Sequence, residues 1–449
     1  MPSLIRPDDI ISSISISPNT KTIWVGFSGG LDSHVLLYLL SQYQTRLKPK
    51  IVAIHINHGL NNQADSWVKH CKKVCNDLEI EFRAESVEAT APKGESQEAW
   101  ARNVRYEKIN QFMVNEDILL TAHHSDDMAE TLLLQLLRGA GPPGLASMPL
   151  NIRFGEGWHC RPLLFYTRSQ LKEFADYNEL SWVEDNSNLD PKYDRNYLRH
   201  NVIPIIKERW PAMAKTLTRA AVLQAETSLL LENLARIDLV NCMTNNTNNL
   251  NIKGLNLLST ERVKNVIRYW IKSEGYTTPT AVQLHKIISD VINAKASSEP
   301  CVSWQGTQIR RYRDILFLTP PLPDNSSKQE RICWQLVNDC TLLMGNLTAS
   351  HGKGNGIKAE KCRNKDIIVK FRCGSETIKK GAHHRKLRTL FQEAGIPSCF
   401  RDFIPLIYID EKLVAVSGLH VDDDFAATNC EDAIQIHWSA AESVFGLFE

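Results

Sequence analysis

Four short apolar segments alternate with four helical patterns through the first third of this 449-residue chain. The apolar segments cover residues 22–27, 51–56, 81–87 and 118–122, and the helical patterns cover 33–41, 64–78, 95–114 and 126–137. Helices of this length let neighbouring strands run parallel, with right-handed connections and helices on both faces. The sequence therefore predicts an α/β fold that begins with a doubly wound, mostly parallel sheet.

The rest of the chain is long enough for two further domains. After a first domain over 1–214, a helical pattern predicts a mostly helical middle domain over 215–325, with strand-like segments at 301–304 and 309–318. Within it, the Asn- and Thr-rich stretch 241–251 is predicted to be a surface loop, and 320–328 a linker. A small mixed α+β domain is expected over 326–449.

The sharpest motif joins the first apolar segment to the first helix, in the order Ser28, Gly29, Gly30, Leu31, Asp32 and Ser33. Glycines let the backbone approach a ligand closely, and free N–H groups at a helix start favour an anion. The motif is neither a Walker A loop nor a Gly-x-Gly-x-x-Gly pattern. Asp32 would repel a phosphate unless a cation lay between them, so it indicates Mg²⁺. A plain turn with an acidic helix start is the simpler alternative.

A second polar cluster follows the fourth apolar segment and contains His123, His124, Asp126 and Asp127. The carboxyl ends of the first and fourth strands of such a sheet can border one crevice. Either carboxylate could simply cap the next helix. Two histidines beside two carboxylates favour a catalytic or substrate-binding role, and a zinc site is the weaker alternative because the spacing matches no common pattern.

Further candidate residues are Asn57, His58, Arg102, Arg105, Arg195 and Arg199. The first pair ends the second apolar segment and is expected at the same crevice. The second pair is spaced three apart on a helix and could bind phosphate or a carboxylate, or simply face solvent. The third pair forms a cationic helical patch suited to an RNA backbone or a phosphate.

Charge is distributed unevenly along a chain whose net charge is only +1. Residues 351–390 hold twelve Lys and Arg residues against three acidic residues, a net charge of +9, and they include Lys379, Lys380, Arg385, Lys386 and Arg388. A local excess of this size is typical of a surface that binds a polyanion, although a solvated basic loop fits equally well on charge alone.

Composition narrows the expected location and chemistry. The first residues lack the apolar run of a signal peptide, and no stretch has the roughly 18 apolar residues of a membrane span. The eleven cysteines are scattered and are interpreted as reduced thiols, so a cytoplasmic location without membrane contact is predicted. No Cys-x-x-Cys occurs, which disfavours sulfur transfer.

Several motifs together resemble one family. SGGLDS at 28–33 is similar to the pyrophosphate loop of the N-type ATP pyrophosphatases. With HINHGL at 55–60, TAHHSDDMAETLLLQLLRGAGPPGL at 121–145, RPLL at 161–164 and the DNSNLD and YDRNYLRHNVIP stretches, the chain resembles the tRNA(Ile)-lysidine synthetases. Residues 383–422 are similar to the C-terminal domain of the longer members. The chain departs from the pattern at Asn61, where Arg is frequent, and at 398–400, where Ser-Cys-Phe replaces Pro-Pro-Trp.

The resemblance implies a two-step reaction with ATP and Mg²⁺. The C2 oxygen of the wobble cytidine in an isoleucine tRNA with a CAU anticodon is first adenylated, and pyrophosphate leaves. The ε-amine of free L-lysine then attacks C2, and AMP leaves. An isoleucine tRNA and lysine are therefore the expected partners, and both a monomer and a homodimer remain open.

The same resemblance assigns residues to these steps. Residues 28–33, Asn57 and His58 would bind ATP, and Asp32 would also hold the metal. The catalytic candidates are Asp32, Arg102, Asp126 and Asp127, with Arg102 pairing the lysine carboxylate and Asp126 its ammonium group. Asp127 and His123 are second choices for that role. The basic segment 351–390 would bind tRNA away from the reaction, with a salt-sensitive affinity.

Three rival functions stay open on the sequence alone. A tRNA thiolase of the same fold is disfavoured by the absence of Cys-x-x-Cys. A small-molecule amidoligase of the same ATPase group does not account for the basic segment. A non-catalytic RNA-binding protein with a decayed loop conflicts with the intact Gly29, Gly30, Asp32 and Ser33.

Overall fold

The structure is a computed structural model that describes residues 5–57, 64–87, 92, 97–184, 192–244, 247–295, 298–323 and 331–440. The chain divides into two compact units, Met1–Leu230 and Leu231–Glu449. The predicted linker at 320–328 lies outside the described residues from 324 onward. The predicted boundaries at 214 and 325 stay predictions.

A six-stranded sheet in the order β3-β2-β1-β4-β6-β5 forms the centre of the first unit. Its strands are β1 (Thr22–Gly26), β2 (Lys50–Asn57), β3 (Glu81–Ser86), β4 (Ile118–Leu120), β5 (Asn151–Phe154) and β6 (Gly157–Cys160). All neighbouring strands run parallel except the β5–β6 hairpin. The predicted doubly wound, mostly parallel sheet is confirmed. Strand order reverses at β1, which pairs with β2 on one side and β4 on the other.

Helices accompany this sheet and extend beyond it. They are α1 (Pro7–Ser12), α2 (Leu31–Ser41), α3 (Ala64–Asp77), α4 (Gln97–Asn110), α5 (Ser125–Leu137), α6 (Pro142–Leu145), α7 (Arg168–Tyr177), α8 (Asp194–Tyr197), α9 (Ile203–Arg209) and α10 (Met213–Cys242). A π-helical turn, Leu198–Val202, joins α8 to α9. No helix in the described part of the chain is long and apolar enough to cross a membrane.

The central strands read as continuous apolar runs because both faces of the sheet are covered. Side chains alternate between the faces with a period of two. Ile23 and Val25 of β1 enter a core layer that includes α2 and α7, whereas Trp24 between them enters a second layer with Ile109 and Met113. This burial on both sides fixes the register of β1 and thereby the position of the loop that follows it.

The second unit contains four sheets and shorter helices. The helices are α11 (Ile252–Leu255), α12 (Thr260–Ser273), α13 (Ala281–Lys286), α14 (Ala359–Cys362), α15 (Leu387–Glu393) and α16 (Ser398–Arg401), and a π-helical turn, Ile287–Ile292, follows α13. The first sheet has the order β7-β8-β11-β10-β9, with β7 (Met243–Thr244), β8 (Thr247–Asn251), β9 (Cys301–Trp304), β10 (Thr307–Tyr312) and β11 (Ile315–Thr319). Trp270 of α12 is buried in the core of this part.

Three further sheets complete the second unit, in the orders β12-β16-β19-β20-β21, β13-β14-β22-β15 and β17-β18. Their strands are β12 (Ile332–Cys333), β13 (Cys340–Leu342), β14 (Gly345–Lys353), β15 (Ile357–Lys358), β16 (Ile367–Lys370), β17 (Thr377–Lys380), β18 (His383–Lys386), β19 (Leu406–Ile409), β20 (Lys412–Val416), β21 (His420–Val421) and β22 (Asp432–Ala440). The predicted order of regions, a helical segment followed by a mixed α+β C-terminal region, is confirmed.

The prediction of a surface loop at 241–251 is wrong. Within the described part of that stretch, β7 and β8 form strands, and β8 pairs with β11 through Leu250 and Leu316. Leu250 is fully buried in the core with Trp270. Polar composition predicted exposure, but one apolar side chain and an available strand edge decided the structure.

Asp117 joins β1 to the start of β4. Its carboxylate is buried and accepts hydrogen bonds from the backbone N–H of Thr22 (3.0 Å), the indole N–H of Trp24 (3.2 Å) and the backbone N–H of Val114 (3.2 Å). One side chain therefore satisfies three donors that would otherwise be unpaired at this edge of the sheet.

We expect Asp117→Ala to lower the free energy of unfolding by about 3 kcal/mol, because it leaves these donors without an acceptor. Urea denaturation followed by tryptophan fluorescence measures the free energy of unfolding. Asp77→Ala, at an exposed position of α3, is the control and should change stability by less than about 0.5 kcal/mol. Equal midpoints for the two variants would contradict the role assigned to Asp117.

Candidate functional site

The structure brings the two predicted polar clusters together at the point where strand order reverses. The glycine loop, residues 28–33, follows β1, and residues 121–127 follow β4, the parallel neighbour of β1. His124 Nε2 lies 3.7 Å from Asp32 Oδ2. Because the carboxyl ends of parallel strands share one edge of a sheet, a single crevice receives side chains from both segments.

The glycine loop has the geometry of an anion site. Gly29 has a φ of +82°, and a Cβ there would lie 2.9 Å from Cys71 Sγ, so only glycine fits. Gly30 is the N-cap of α2, and its lack of a side chain leaves the first N–H groups of that helix uncapped. The hydroxyls of Ser28 and Ser33 are 3.1 Å apart, and Ser33 Oγ donates to Gly30 O at 3.0 Å. The uncapped N–H groups and the two hydroxyls are suited to phosphate oxygens.

Asp32 has the features expected of a metal ligand. Its Oδ1 is buried and has no hydrogen-bond partner among the described residues. Burial raises the pKa of the Asp32 carboxyl, and its neighbour His124 acts in the opposite direction. No group of three or more acidic, His or Cys side chains in the described part of the chain is arranged to hold a metal ion by itself. Mg²⁺ usually takes one or two carboxylates and completes its shell with phosphate and water, so a single free carboxylate oxygen fits it.

His124 and Asp127 form a reciprocal cap at the start of α5. The backbone N–H of Asp127 donates to His124 Nδ1 (3.4 Å), and Asp127 Oδ2 accepts from the backbone N–H of His124 (3.1 Å). Because Nδ1 accepts, the neutral ring carries its proton on Nε2, which faces Asp32 and Asp127. Either Asp126 or Asp127 could have capped this helix on the sequence alone, and the structure shows that Asp127 takes part in the cap.

Asp126 is buried and already holds a primary ammonium group. Lys207 Nζ lies 2.6 Å from its Oδ1, and the backbone N–H of Arg168 donates to its Oδ2 at 2.9 Å. Burial alone would raise the pKa of Asp126, but the hydrogen bonds and charge of Lys207 outweigh burial and hold the pKa below its usual value. The predicted role of Asp126 toward the lysine ammonium stays a prediction, and it requires Lys207 to move.

Glu130 belongs to the site although no sequence motif identified it. This carboxylate is buried and is paired with Arg195 Nε (2.7 Å) and Arg199 Nε (2.6 Å). Both guanidinium groups also reach Asp127 Oδ1, at 2.8 Å and 3.3 Å. Its spacing, three residues after Asp127, places it on the same helix face but does not show that it is buried. We call the set of Asp32, Asp126, Asp127 and Glu130 the carboxylate cluster.

Arg195 and Arg199 therefore have an internal role in this structure. Charge from Asp127 and Glu130 outweighs burial and raises the pKa of both guanidinium groups. Arg199 lies in the π-helical turn between α8 and α9, a conformation often found at functional sites. Their predicted contact with the RNA backbone stays a prediction.

A pair of histidines, the half-buried His123 and the buried His159, lies beside this network. Thr121 Oγ1 is 2.7 Å from His123 Nδ1 and 2.8 Å from His159 Nε2. Burial lowers the pKa of His123 to about 3 and of His159 to about 2, and the charges of Arg161 and Arg102 act in the same direction. Both rings are therefore neutral at physiological pH, which removes His123 as a cationic group and leaves it as a neutral hydrogen-bonding group.

Three further residues were selected from the sequence: Arg102, Asn57 and His58. Arg102 is exposed on α4, with its guanidinium 5.6 Å from the centre of the Tyr106 ring. Asn57 ends β2 and is half-buried, and His58 lies outside the described residues. The predicted roles of these three residues stay predictions.

The basic segment of the second unit is partly neutralised by its own fold. Lys379 pairs with Asp424 (2.6 Å), and Glu393 is 2.9 Å from Arg385 and 3.8 Å from Lys380. Lys386 and Arg388 are exposed and have no ion pair with any described residue. Asp424 and Glu393 both lie outside residues 351–390. The net positive charge around this segment in the folded protein is therefore smaller than the +9 counted along the sequence.

Cysteine placement bears on the sulfur-transfer alternative. Cys71 and Cys75 are buried on α3, and burial raises the pKa of both thiols to about 12. Cys71 Sγ packs against Gly29 of the glycine loop, but a thiol with this pKa is almost entirely protonated at neutral pH. The cysteine nearest the loop is therefore packed as a small apolar side chain.

We expect iodoacetamide at pH 8 to spare Cys71 and Cys75 in the native protein, because the reacting species is the thiolate. The exposed cysteines, Cys301, Cys333, Cys373 and Cys430, serve as internal positive controls and should be modified within minutes. Peptide mass spectrometry before and after urea denaturation measures the difference. Rapid native modification of Cys71 would show an accessible thiolate and would reopen a sulfur-carrier role at the loop.

Three family models match parts of the chain. They are the PP-loop domain over residues 8–206, the TilS substrate binding domain over 250–317 and the TilS substrate C-terminal domain over 367–438. The first match contains every member of the carboxylate cluster and the glycine loop.

Curated relatives match over nearly the whole length. A tRNA(Ile)-lysidine synthase of Coxiella burnetii is 39% identical, with 94% of this chain and 94% of that protein covered. The enzyme of Legionella pneumophila strain Paris is 38% identical, and the match covers 93% of this chain and 95% of that protein. The enzyme of Methylococcus capsulatus is 36% identical, and the match covers 93% of this chain and 96% of that protein. The chain therefore belongs to the tRNA(Ile)-lysidine synthase family.

Proposed function

We propose that this protein uses ATP to attach free L-lysine to C2 of the wobble cytidine in an isoleucine tRNA with a CAU anticodon. The observation that carries the proposal is the unpartnered, buried Oδ1 of Asp32, in the glycine loop at the uncapped start of α2. The other oxygen of this carboxylate, Oδ2, lies 3.7 Å from Nε2 of His124, the N-cap of α5. The family of the chain supplies the expected substrates. A cytoplasmic location and a homodimer stay predictions.

The chemistry requires two displacements. In the first, the C2 oxygen of cytidine attacks the α-phosphorus of ATP, an O–P bond forms, and pyrophosphate leaves. In the second, the unprotonated ε-amine of lysine attacks C2, the C2–O bond breaks, and AMP leaves with that oxygen. As the C2–N bond forms, the attacking nitrogen releases a proton to water, and the departing AMP takes the electrons of the C2–O bond. A C2 oxygen is a poor leaving group until it carries a phosphate, so the order of the steps is fixed.

The glycine loop is suited to the first step. N–H groups of α2 and the hydroxyls of Ser28 and Ser33 would bind phosphate oxygens, with Asn57 and His58 as further predicted contacts. Asp32 would hold Mg²⁺, which when bound supplies positive charge that neutralises phosphate oxygens. Rigid N–H donors of this kind favour the charge that develops on a leaving pyrophosphate.

The carboxylate cluster is suited to the second step. Asp126 would bind the ammonium group of lysine, with Asp127 as the second choice, and Arg102 would bind its carboxylate. A water-poor setting favours loss of a proton from the amine, because burial disfavours a charged ammonium group. Exposed cations in the second unit, including Lys386 and Arg388, would contact the tRNA away from the reaction.

The thiolase alternative has less support. The chain has no Cys-x-x-Cys, and burial holds the thiols next to the glycine loop in their protonated form. The relatives that match over the whole length are lysidine synthases at 36–39% identity.

We expect transfer of labelled lysine onto an unmodified isoleucine tRNA transcript with a CAU anticodon, given ATP and Mg²⁺. Mild base removes ordinary aminoacyl esters, so base-stable label reports the proposed bond. Asp32→Ala should reduce the rate at least about 100-fold, because phosphates and metal lose their buried ligand. Asp77→Ala is the matched control. Cleavage of ATP to AMP without stable label would remove lysine as the substrate and keep the ATPase assignment.

Lys207→Met tests the predicted role of Asp126. If Asp126 binds the substrate ammonium, Lys207 competes for it, and removing its charge should lower KM for lysine by up to about tenfold. KM for ATP should not change. Lys172→Met, at an exposed position of α7, is the control. A raised or unchanged KM for lysine would assign Lys207 a supporting role and would remove Asp126 as the ammonium site.

A further inference from the structure

A cavity of about 310 Å³ lies beside the carboxylate cluster in the first unit. It is lined by Ser125, Phe165, Lys215, Thr218, Arg219 and Val222. Ser125 is the first residue of α5, and the next two residues of that helix are Asp126 and Asp127. The volume suits a small ligand. The roles proposed for the glycine loop and the carboxylate cluster do not use these lining residues.

One wall of the cavity offers an aromatic surface. Phe165 is 54% exposed, in the segment between β6 and α7. The backbone carbonyl of the adjacent Tyr166 accepts a hydrogen bond from the backbone N–H of Ser125 at 2.8 Å, so the phenyl ring is held close to the start of α5. An exposed ring at the mouth of a cavity is a surface on which a nucleobase can stack.

The lining also carries positive charge that no described protein group neutralises. Lys215 and Arg219 lie four residues apart on one face of α10, both are exposed, and neither forms an ion pair with a described residue. Like charges at this spacing destabilise a helix slightly, and an anion between them would offset that cost. Their arrangement beside an aromatic ring matches the phosphate and base of one nucleotide.

The start of α5 forms the remaining part of the lining. Ser125 is fully buried, so it supports the cavity wall from below the accessible surface. The Thr218 hydroxyl donates to the Ser125 carbonyl at 3.5 Å, which ties α10 to α5 at this wall.

We propose that this cavity binds a nucleotide of the substrate RNA that flanks the modified cytidine. Its base stacks on Phe165, and its phosphate lies between Lys215 and Arg219. The assignment rests on the proposed function, because that function places single-stranded RNA at the carboxylate cluster. ATP is the other nucleotide in the reaction, but its phosphates have their own site at the glycine loop.

The test uses the full chain and isoleucine tRNA transcripts with 2-aminopurine immediately 5′ or 3′ of the wobble cytidine. Binding should quench the fluorescence of one of the two probes. Phe165→Ala should abolish the quenching and weaken tRNA binding about tenfold, whereas Phe165→Trp should keep both. Lys215→Gln and Arg219→Gln should each reduce the salt dependence of log affinity by about 1. Circular dichroism checks that each variant is folded.

Matched controls and a separate ATP measurement decide the outcome. Tyr177→Ala and Lys172→Gln, at exposed positions of α7, should leave tRNA binding unchanged. Binding of a fluorescent ATP analogue with Mg²⁺ should be the same in all variants. Loss of ATP binding with intact tRNA binding would assign the cavity to ATP and overturn the proposal. Unchanged binding of both ligands would also overturn it.

The proposal and the proposed function fail in distinguishable ways. If the wild-type protein forms lysidine and the cavity variants bind tRNA normally, only the cavity proposal is wrong. If no lysidine forms but Phe165 still controls quenching of the probe, the cavity binds RNA and the assigned reaction is wrong.

Discussion

Crowding of four carboxylates, one at the start of α2 and three at the start of α5, is the constraint on which the rest of the site depends. Like charges this close cannot all stay ionised in a partly buried setting unless cations offset them. Arg195, Arg199 and Lys207 offset three of the four, and all come from residues 192–209. The chain must therefore fold this segment against α5 before the cluster is stable. Of the four carboxylates, only Asp32 has no Lys or Arg of the described chain within ion-pair distance, and it is the one assigned to the metal.

The parts of the fold that depend on local periodicity could be predicted from the sequence. Runs such as 22–27 and 51–56 are apolar throughout because helices cover both faces, and the glycines at 29 and 30 mark the loop that must pass close to Cys71. Glu130 could not be found this way. A Glu in a helix is usually exposed, and only the tertiary contacts with Arg195 and Arg199 show that this one is buried. Likewise, no local signal showed that Lys207 would reach Asp126, 81 residues away.

The structure differs from the sequence-based predictions at two other places, and the physical cause is the same. The stretch 241–251 was predicted to be a loop because its side chains are polar, yet β8 is fixed by Leu250 and by the edge of β11. The basic segment had a net charge of +9 along the sequence, yet Glu393 and Asp424 approach it in space. Composition within a window describes neighbours along the chain, whereas exposure and charge depend on neighbours in the fold. Pairing with a strand edge changes exposure, and a distant carboxylate changes the local charge, but neither can be recognised from the residues of the segment itself.

The cations that stabilise the cluster also limit how it can select a substrate. Asp126 does not present an empty negative site, because it holds the ammonium of Lys207. A substrate amine must exchange with that ammonium, and exchange of one primary ammonium for another gains little Coulomb energy. Lys207 is attached to the fold and therefore loses less entropy than a free ligand on binding. In the proposed function, selective binding of lysine must then come from a second contact that Lys207 cannot make, and the α-carboxylate of free lysine would supply one for Arg102. A diamine without that carboxylate would compete with Lys207 on charge alone, so the proposed site must recognise both ends of lysine.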